Sequence, residues 1–452
     1  MSAAIETTIQ TIEMIVQSLP IGTNLGILHL LWAMLNGSFL QSRGAIFSAL
    51  KQSGFDEATS RRSWGAFRYG SWKIEELIQA WQGVVLKEGR WQAHQYEGYQ
   101  PLPVDWTTFW RPQLKGWAGR FFSRLVNRAA KGVGFGMVVR VGEIDGQRIP
   151  LLTKLIRIEG EEMTEARLKK DTLAWVGKHL KGDEIAVVDA GVHISDLQEA
   201  EVDRYVVRMA KNCTARRNEL VQNKNGRPRE FGVLVRPLAR QRKGKVIPAT
   251  NDADEEVTFQ WEGRTIQARG WHGLVQADEK VDSQHATFSI WVFIDPLYET
   301  PLVLATNVQV TPRTIFALYV DRWPVEQIPL AAKQMLGLHR QFVFAPESVQ
   351  RLPELALLAG NILTYLVTTL PPMPTGWWDM HPKKHLAACV EFWQELIFPL
   401  FTRKRGDFGK RTPSPSIFPR ERRPIGVQNA RLSHLFHPFA HRFSIDLLMS
   451  PA

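Results

Sequence analysis

The apolar positions of the first ninety residues recur at helical spacing. They do so through Ile5–Leu19, Gly26–Leu35 and Ala45–Leu50, the three-to-four-residue repeat of helices that bury one face. The stretch from Gly44 to Gly70 predicts a helix, a tight turn at Ser53-Gly54-Phe55 and a second helix. Asp56 caps that second helix, because a carboxylate there accepts the free N–H groups of the first turn. This is helix-turn-helix spacing, with Arg61, Arg62 and Arg68 on the second helix. Ordinary packing in a small helical domain explains the same pattern equally well.

Near residue 100 the period shortens. Leu102 and Val104 lead into Asp105, which predicts a short strand. Gly134–Gly142 and Arg148–Ile158 are β-rich and flank Asp145-Gly146, a dipeptide that signals a hairpin. Met163–Leu180 reads as an amphipathic helix. Ile185–Val188 is a continuous apolar run ending at Asp189, as expected of a strand covered on both faces. A short helix at Ile194–Glu201 and a strand at Arg204–Arg208 follow. Residues 212–290 are basic, then acidic, and β-like around Glu256–Trp261 and Arg264–Arg269, with Glu262-Gly263 as a turn. They predict an inserted β-subdomain. The main pattern resumes with a strand at Pro301–Ala305 and helices from Thr311 onward.

The expected class is therefore α/β. The order strand, hairpin, helix, strand, helix, strand is that of the ribonuclease-H-like fold, in which an antiparallel hairpin adjoins parallel strands. The expected organisation is a helical DNA-binding domain at 1–95 and a ribonuclease-H-like domain at 96–345, with its β-insertion at about 212–290. A helical and extended region at 346–452 follows. The apolar stretches Leu25–Leu35 and Leu355–Leu370 read as core helices, shorter than a membrane span.

Charge sharpens this picture. The 452 residues carry a net charge of +11. Residues 203–250 hold 13 Lys/Arg against 3 Asp/Glu, and residues 403–431 hold 9 against 2. Those two segments contribute +17, so the remainder is net −6. Two basic runs in an otherwise acidic protein favour contact with a phosphate backbone. The second run contains Pro413, Pro415, Pro419 and Pro424, too many for a helix, and reads as an extended arm. A last short element is expected near Leu432–Leu448. Cys213 and Cys389 are too few for a disulfide framework and fit a reducing cytoplasm. The spacings His381/His385 and His437/His441 lack the Glu of a zinc-protease helix and read as packing or surface residues.

Tyr319, Arg322, Glu326 and Lys333 lie at offsets 0, 3, 7 and 14. At about 100° per residue they fall at roughly 0°, 300°, 340° and 320°, one narrow stripe of a helix. Read alone, the stripe is either a solvated face with an Arg322–Glu326 salt bridge or a functional face. The spacing resembles the YREK signature of the bacterial insertion-sequence DDE transposases, the cut-and-paste group. Asp105, followed by Thr107 and Thr108, matches that family's first carboxylate at the end of the first strand. Asp189 matches the second, and Glu326, on the helix after the β-insertion, the third.

The resemblance implies that Asp105, Asp189 and Glu326 hold two Mg²⁺ or Mn²⁺ ions, hard cations suited to carboxylate oxygens. It implies that Tyr319, Arg322 and Lys333 grip DNA phosphates, and that Trp323, Arg208 and Lys211 also contact DNA. Read alone, Trp323 packs into the core behind its helix, and Arg208 and Lys211 fit a solvated loop equally well. The implied partners are double-stranded DNA, as transposon ends and target, and a second copy of the chain in a synaptic dimer. The implied setting is the bacterial cytoplasm at the nucleoid, with no membrane. Two other readings share these residues, a DNA-binding protein that has lost cleavage and a nuclease without strand transfer. The sequence departs from the family pattern at three places. Pro324 and Pro329 flank Glu326, Leu302 stands where relatives carry a base-holding Trp, and Asp196 offers a competing carboxylate near Asp189. Trp261, Trp271 and Trp291 are candidate substitutes for that Trp and equally fit a β-core.

Overall fold

The computed structural model describes residues 3–19, 26–111, 113–115, 117–123, 126–159, 163–220, 229–250, 252–337 and 345–373, with scattered positions from 380 to 390. The expected basic arm at 403–431, the element at 432–448, and His385, His437 and His441 lie outside the described residues.

Six helices open the chain: α1 (Ala3–Gln17), α2 (Gly26–Leu35), α3 (Ser38–Gln41), α4 (Ile46–Gln52), α5 (Glu57–Tyr69) and α6 (Ile74–Glu88). The turn between α4 and α5 forms as the sequence predicts. Gly54 supplies its left-handed residue at φ 87°, and Asp56 accepts from the Thr59 N–H at 2.7 Å. α5 buries Ser60, Ser63, Ala66 and Phe67 and exposes Arg61, Arg62 and Arg68.

The sheet begins with β1 (Gln92–Ala93), β2 (Gln100–Trp110), β3 (Arg120–Ser123), β4 (Arg128–Ile144) and β5 (Gln147–Arg157). Asp145 and Gly146 both take positive φ, 52° and 75°, the geometry that a two-residue hairpin turn requires. Then come α7 (Glu165–His179), β6 (Glu184–Val188), α8 (Ile194–Glu199) and β7 (Tyr205–Arg208). The central strand order is β5-β4-β2-β6-β7. β2, β6 and β7 are mutually parallel, while β4 and β5 form the antiparallel hairpin beside β2. Gly134 and Gly136 on β4 let α7 lie flush on the sheet. A Cβ at Gly136 would stand 2.1 Å from Thr172 Oγ1.

Three expectations need correction. β2 does not end at Asp105 but runs on to Trp110. Its parallel pairing with β6 stops at Val104, yet β4 continues to supply hydrogen-bond partners as far as Trp110. The 212–290 region does not form a sheet of its own. After β8 (Ala215–Arg217), β9 (Leu234–Val235), β10 (Arg240–Arg242) and β11 (Lys245–Ile247) come β12 (Glu255–Trp261), β13 (Arg264–Gln276), β14 (Phe288–Ile294) and β15 (Leu302–Thr306). β15 pairs with β7 on one edge and β14 on the other, so the order continues β7-β15-β14-β13-β8-β9 in the same sheet. Only β10 and β11 stand apart, as a two-stranded ribbon.

The third correction concerns the helix of the stripe. α9 (Pro312–Val320) ends early, and a 3₁₀ turn at Trp323–Glu326, α10 (Gln327–Leu330) and a π-turn at Ala331–Met335 follow. Pro324 and Pro329 lack the N–H that a continuous helix would need. The last described helix is α11 (Pro346–Thr369). Its Ser348–Thr369 stretch is long and apolar enough to cross a membrane, contrary to the shorter run read from the sequence, but its most apolar window is 89% buried within the fold.

One hydrophobic core joins the N-terminal helices, β4, β5 and α11, with Phe67, Trp81, Phe135, Leu152 and Ile362 among its members. Asn361 is buried within it and stitches three elements. It accepts from Trp81 Nε1 at 2.8 Å and from the Leu152 N–H at 2.9 Å, and donates to the Pro150 carbonyl at 2.6 Å. Two further cores lie on opposite faces of β6. Ala186 and Val188 pack with Leu173 and Val176 of α7. Ile185 and Val187 pack with Ile315, Phe316 and Leu318 of α9. Being covered on both sides explains the unbroken apolar run of this strand.

Candidate active site

Two carboxylates are brought together by strand register. Val104 of β2 and Val188 of β6 are partners in the parallel ladder. Asp105 and Asp189 each follow by one residue, so they sit side by side where the parallel pairing of β2 and β6 ends, about 4.8 Å being the usual strand spacing. Val104 and Val188 share the α7-side core, so both Asp residues alternate to the α9 side.

The α9 side supplies the partners. Tyr319 donates its hydroxyl to Asp189 Oδ1 at 2.9 Å. Arg322 Nη2 lies 2.6 Å from Glu326 Oε1 and 3.7 Å from Asp189 Oδ2. Arg208, at the end of β7, reaches Asp189 Oδ1 at 3.4 Å. Lys333 donates to Thr107 Oγ1 at 2.6 Å and lies over the Phe109 ring. Thus Asp105, Asp189, Glu326, Tyr319, Arg322, Lys333 and Arg208 gather in the middle of the sheet, where the parallel pairing of β2 and β6 ends. Lys211 is exposed in the turn beyond β7.

The groups perturb one another. Burial pushes the Asp105 carboxyl up to about 6; Arg322 opposes this, while Glu326 and Asp189 add to it. Burial also acts to raise Asp189, but Arg322, the Ala190 N–H, the Tyr319 hydroxyl and Arg208 outweigh it and leave that carboxyl below its ordinary value. Burial lowers Lys333 to about 8 against the pull of Asp105. Burial likewise raises the Tyr319 phenol to about 12. For Arg322, the surrounding Tyr319, Asp189, Glu326 and Asp105 outweigh burial and hold the guanidinium charged. Arg322 is only 7% exposed, and its Nε and Nη1 have no hydrogen-bond partner among the described residues.

Among the described residues, no three His, Cys, Asp or Glu side chains are gathered closely enough to hold one ion. Arg322 stands among these carboxylates, engaging Glu326 and facing Asp189. Asp196 is not a competitor: it accepts from the His193 N–H at 2.8 Å and caps α8. Trp323 is 40% exposed, which corrects its reading as core packing. The chain turns after Asp321 instead of continuing α9, and the indole is carried outward. Trp271 and Trp291 are buried within the sheet's cores.

Sequence reasoning missed the neighbour of Arg322. Asp321 is fully buried and accepts from His94 Nδ1 at 2.6 Å, Tyr96 Oη at 2.9 Å and Arg148 Nε at 3.1 Å. His94 also lies 3.5 Å from Glu143. Burial alone would lower His94, but Asp321 and Glu143 outweigh it and Arg148, so its value is raised above 6.5. These residues are far apart in sequence, and their one linear signal is an Asp inside an otherwise apolar helix end.

No protein-family model matches the chain, and no curated protein matches it.

Proposed function

We propose that this protein is a DNA transposase of the carboxylate-triad type. It cuts transposon ends and joins the 3′-hydroxyl to target DNA, acting as a dimer at the bacterial nucleoid. The observation that carries the reading is the convergence where the parallel pairing of β2 and β6 ends. Asp105 and Asp189 emerge together from parallel strands, and Arg322 links Asp189 to Glu326. The hairpin β4–β5 beside the parallel strands β2, β6 and β7 supports a ribonuclease-H-like domain.

The donor set suits a hard divalent cation. All three side chains offer carboxylate oxygens, and Asp105 is raised partly by the other two, a crowding of negative charge that Mg²⁺ or Mn²⁺ relieves. Asp105, Asp189 and Glu326 would hold two ions, which when bound activate a nucleophile and stabilise the leaving oxygen. The chain's own residues do the rest. Arg322 presents unpartnered N–H groups suited to a phosphate oxygen. Tyr319 holds Asp189 in place through its hydroxyl. Lys333 sets a positive charge beside Asp105 and Thr107. Arg208 adds a second cation beside Asp189.

One observation favours a second reading. Arg322 already neutralises Asp189 and Glu326, as it would in a DNA-binding descendant that no longer cuts. A supercoiled plasmid carrying the DNA that flanks the gene separates the possibilities. The transposase reading expects metal-dependent nicks and joined products. Cuts without joining indicate a nuclease, and binding without cuts indicates the descendant.

A further inference from the structure

The β10–β11 ribbon stands outside the main sheet, and its composition is one-sided. Its residues, Arg240 to Ile247, carry four cations and no carboxylate. Gln241 through Val246 are exposed, Val246 at 66%. Among the described residues Arg240, Arg242, Lys243 and Lys245 make no ion pair. Residues facing each other across a two-stranded ribbon share a face. The register Arg240↔Ile247 and Arg242↔Lys245 therefore puts three cations on one face. Lys243 occupies the turn with Gly244, at φ 50° and 75°, which sets the fourth charge at the tip.

The blade is exposed but its root is pinned. The Arg236 N–H donates to Thr250 Oγ1 at 2.7 Å, and the Thr250 N–H donates to the Arg236 carbonyl at 3.0 Å. Arg236 Nη1 donates to the Pro248 carbonyl at 2.8 Å. Arg240 Nη1 donates to the Asn212 carbonyl at 3.2 Å. Asn212 lies four residues beyond Arg208, which contacts Asp189. Four residues span at most about 14 Å, so the ribbon is rooted beside the candidate active site.

We propose that this ribbon is a duplex-DNA contact. Its cationic face lies along the phosphates of the strand pair that enters the Asp105–Asp189 site, with the tip directed into a groove. A two-stranded ribbon, its strands about 4.8 Å apart, fits the major groove, which is roughly 12 Å wide. The ribbon carries no aromatic side chain on which an unpaired base could stack, which favours a duplex over a single strand. This inference rests on the transposase reading for the path of the DNA, not for the charge of the ribbon.

The test combines Arg242→Glu, Lys243→Glu and Lys245→Glu in the full chain. Binding of a fluorescein-labelled random-sequence duplex of about 30 bp is followed by anisotropy across a salt series. Three lost phosphate contacts, at about 0.9 each, should make the log–log salt slope shallower by roughly 2.7, with at least a ~10-fold loss of affinity at low salt. Thermal unfolding should match wild type, because the substituted side chains bury nothing. An unchanged slope and affinity overturns the proposal. So does a greater loss for single-stranded DNA or RNA than for the duplex. If wild type nicks plasmid and the ribbon variant binds as wild type does, the ribbon proposal fails alone. If wild type never nicks and the variant still loses slope, the ribbon stands and the transposase reading fails.

Discussion

Asp321 and Arg322 are adjacent in the chain, yet one closes a network and the other leaves one open. Asp321 has no exposure and three donors, from His94, Tyr96 and Arg148. Arg322 is nearly as buried, but two of its nitrogens lack partners among the described residues, and Asp189 and Glu326 remain in reach of solvent. Asp189 and Glu326 side chains are 33% and 43% exposed. A buried polar group kept for stability is satisfied, because an unmade hydrogen bond in low dielectric is costly. A group kept for chemistry holds capacity for something not yet bound. On the proposed function, the turn after α9 places these two kinds of group one residue apart.

That contrast predicts separable losses. Asp321→Ala should cost about 3 kcal/mol of stability, since it takes the acceptor from the largely buried His94 and Tyr96, while Arg148, 34% exposed, keeps Glu262. Denaturant unfolding measures this, and cleavage by the protein that remains folded should change little. Arg322→Ala should do the reverse. Cleavage should fall by roughly 10²–10³, the usual loss when one positioned charge donor is removed. Stability should fall less than for Asp321→Ala, because two Arg322 nitrogens have no partner among the described residues to lose and Asp189 and Glu326, 33% and 43% exposed, can rehydrate. If both substitutions mainly destabilise, the contrast collapses.

A subtler check uses pH. His94 titrates above its ordinary 6.5 in the folded protein, so the folded state binds the proton more tightly than the unfolded chain. The stability this adds is complete below 6.5 and is lost as pH rises through the raised value. Asp321, Tyr96, Arg148 and Glu143 are the charged and titratable groups facing it. Unfolding free energy should therefore decline across that window in wild type, with His94→Gln flattening the decline. The smallest effect is expected at Trp323. With 40% exposure, Trp323→Ala should change stability by about 0.5 kcal/mol or less, leaving any effect on DNA affinity visible by itself.

Local signals were legible in the sequence. The Asp56 cap, the Asp145-Gly146 hairpin and the doubly covered Ile185–Val188 strand each depend on a few adjacent residues, and each formed as read. Features set by distant partners were not legible. β2 outruns Asp105 because β4 keeps pairing with it, and the described 212–290 strands other than the β10–β11 ribbon join the main sheet through β14, which pairs with β15. The stripe from Tyr319 to Lys333 was calculated for a straight helix, and two prolines break it into α, 3₁₀ and π segments. Tyr319, Arg322 and Glu326 nevertheless remain together, Arg322 over the Tyr319 ring three residues back and paired with Glu326 four residues on, with Asp189 held by Tyr319 and facing Arg322. The Asp321 cluster joins positions up to 227 residues apart, a pairing that no local pattern encodes.

The account rests most heavily on Glu326, which reaches the site only through the broken segment after α9. Nicking of supercoiled plasmid with Mg²⁺, compared between wild type and Glu326→Ala at equal DNA binding, tests it most directly. The account predicts cleavage by wild type and none above background by the variant. A Glu326→Ala protein that nicks as fast as wild type contradicts it.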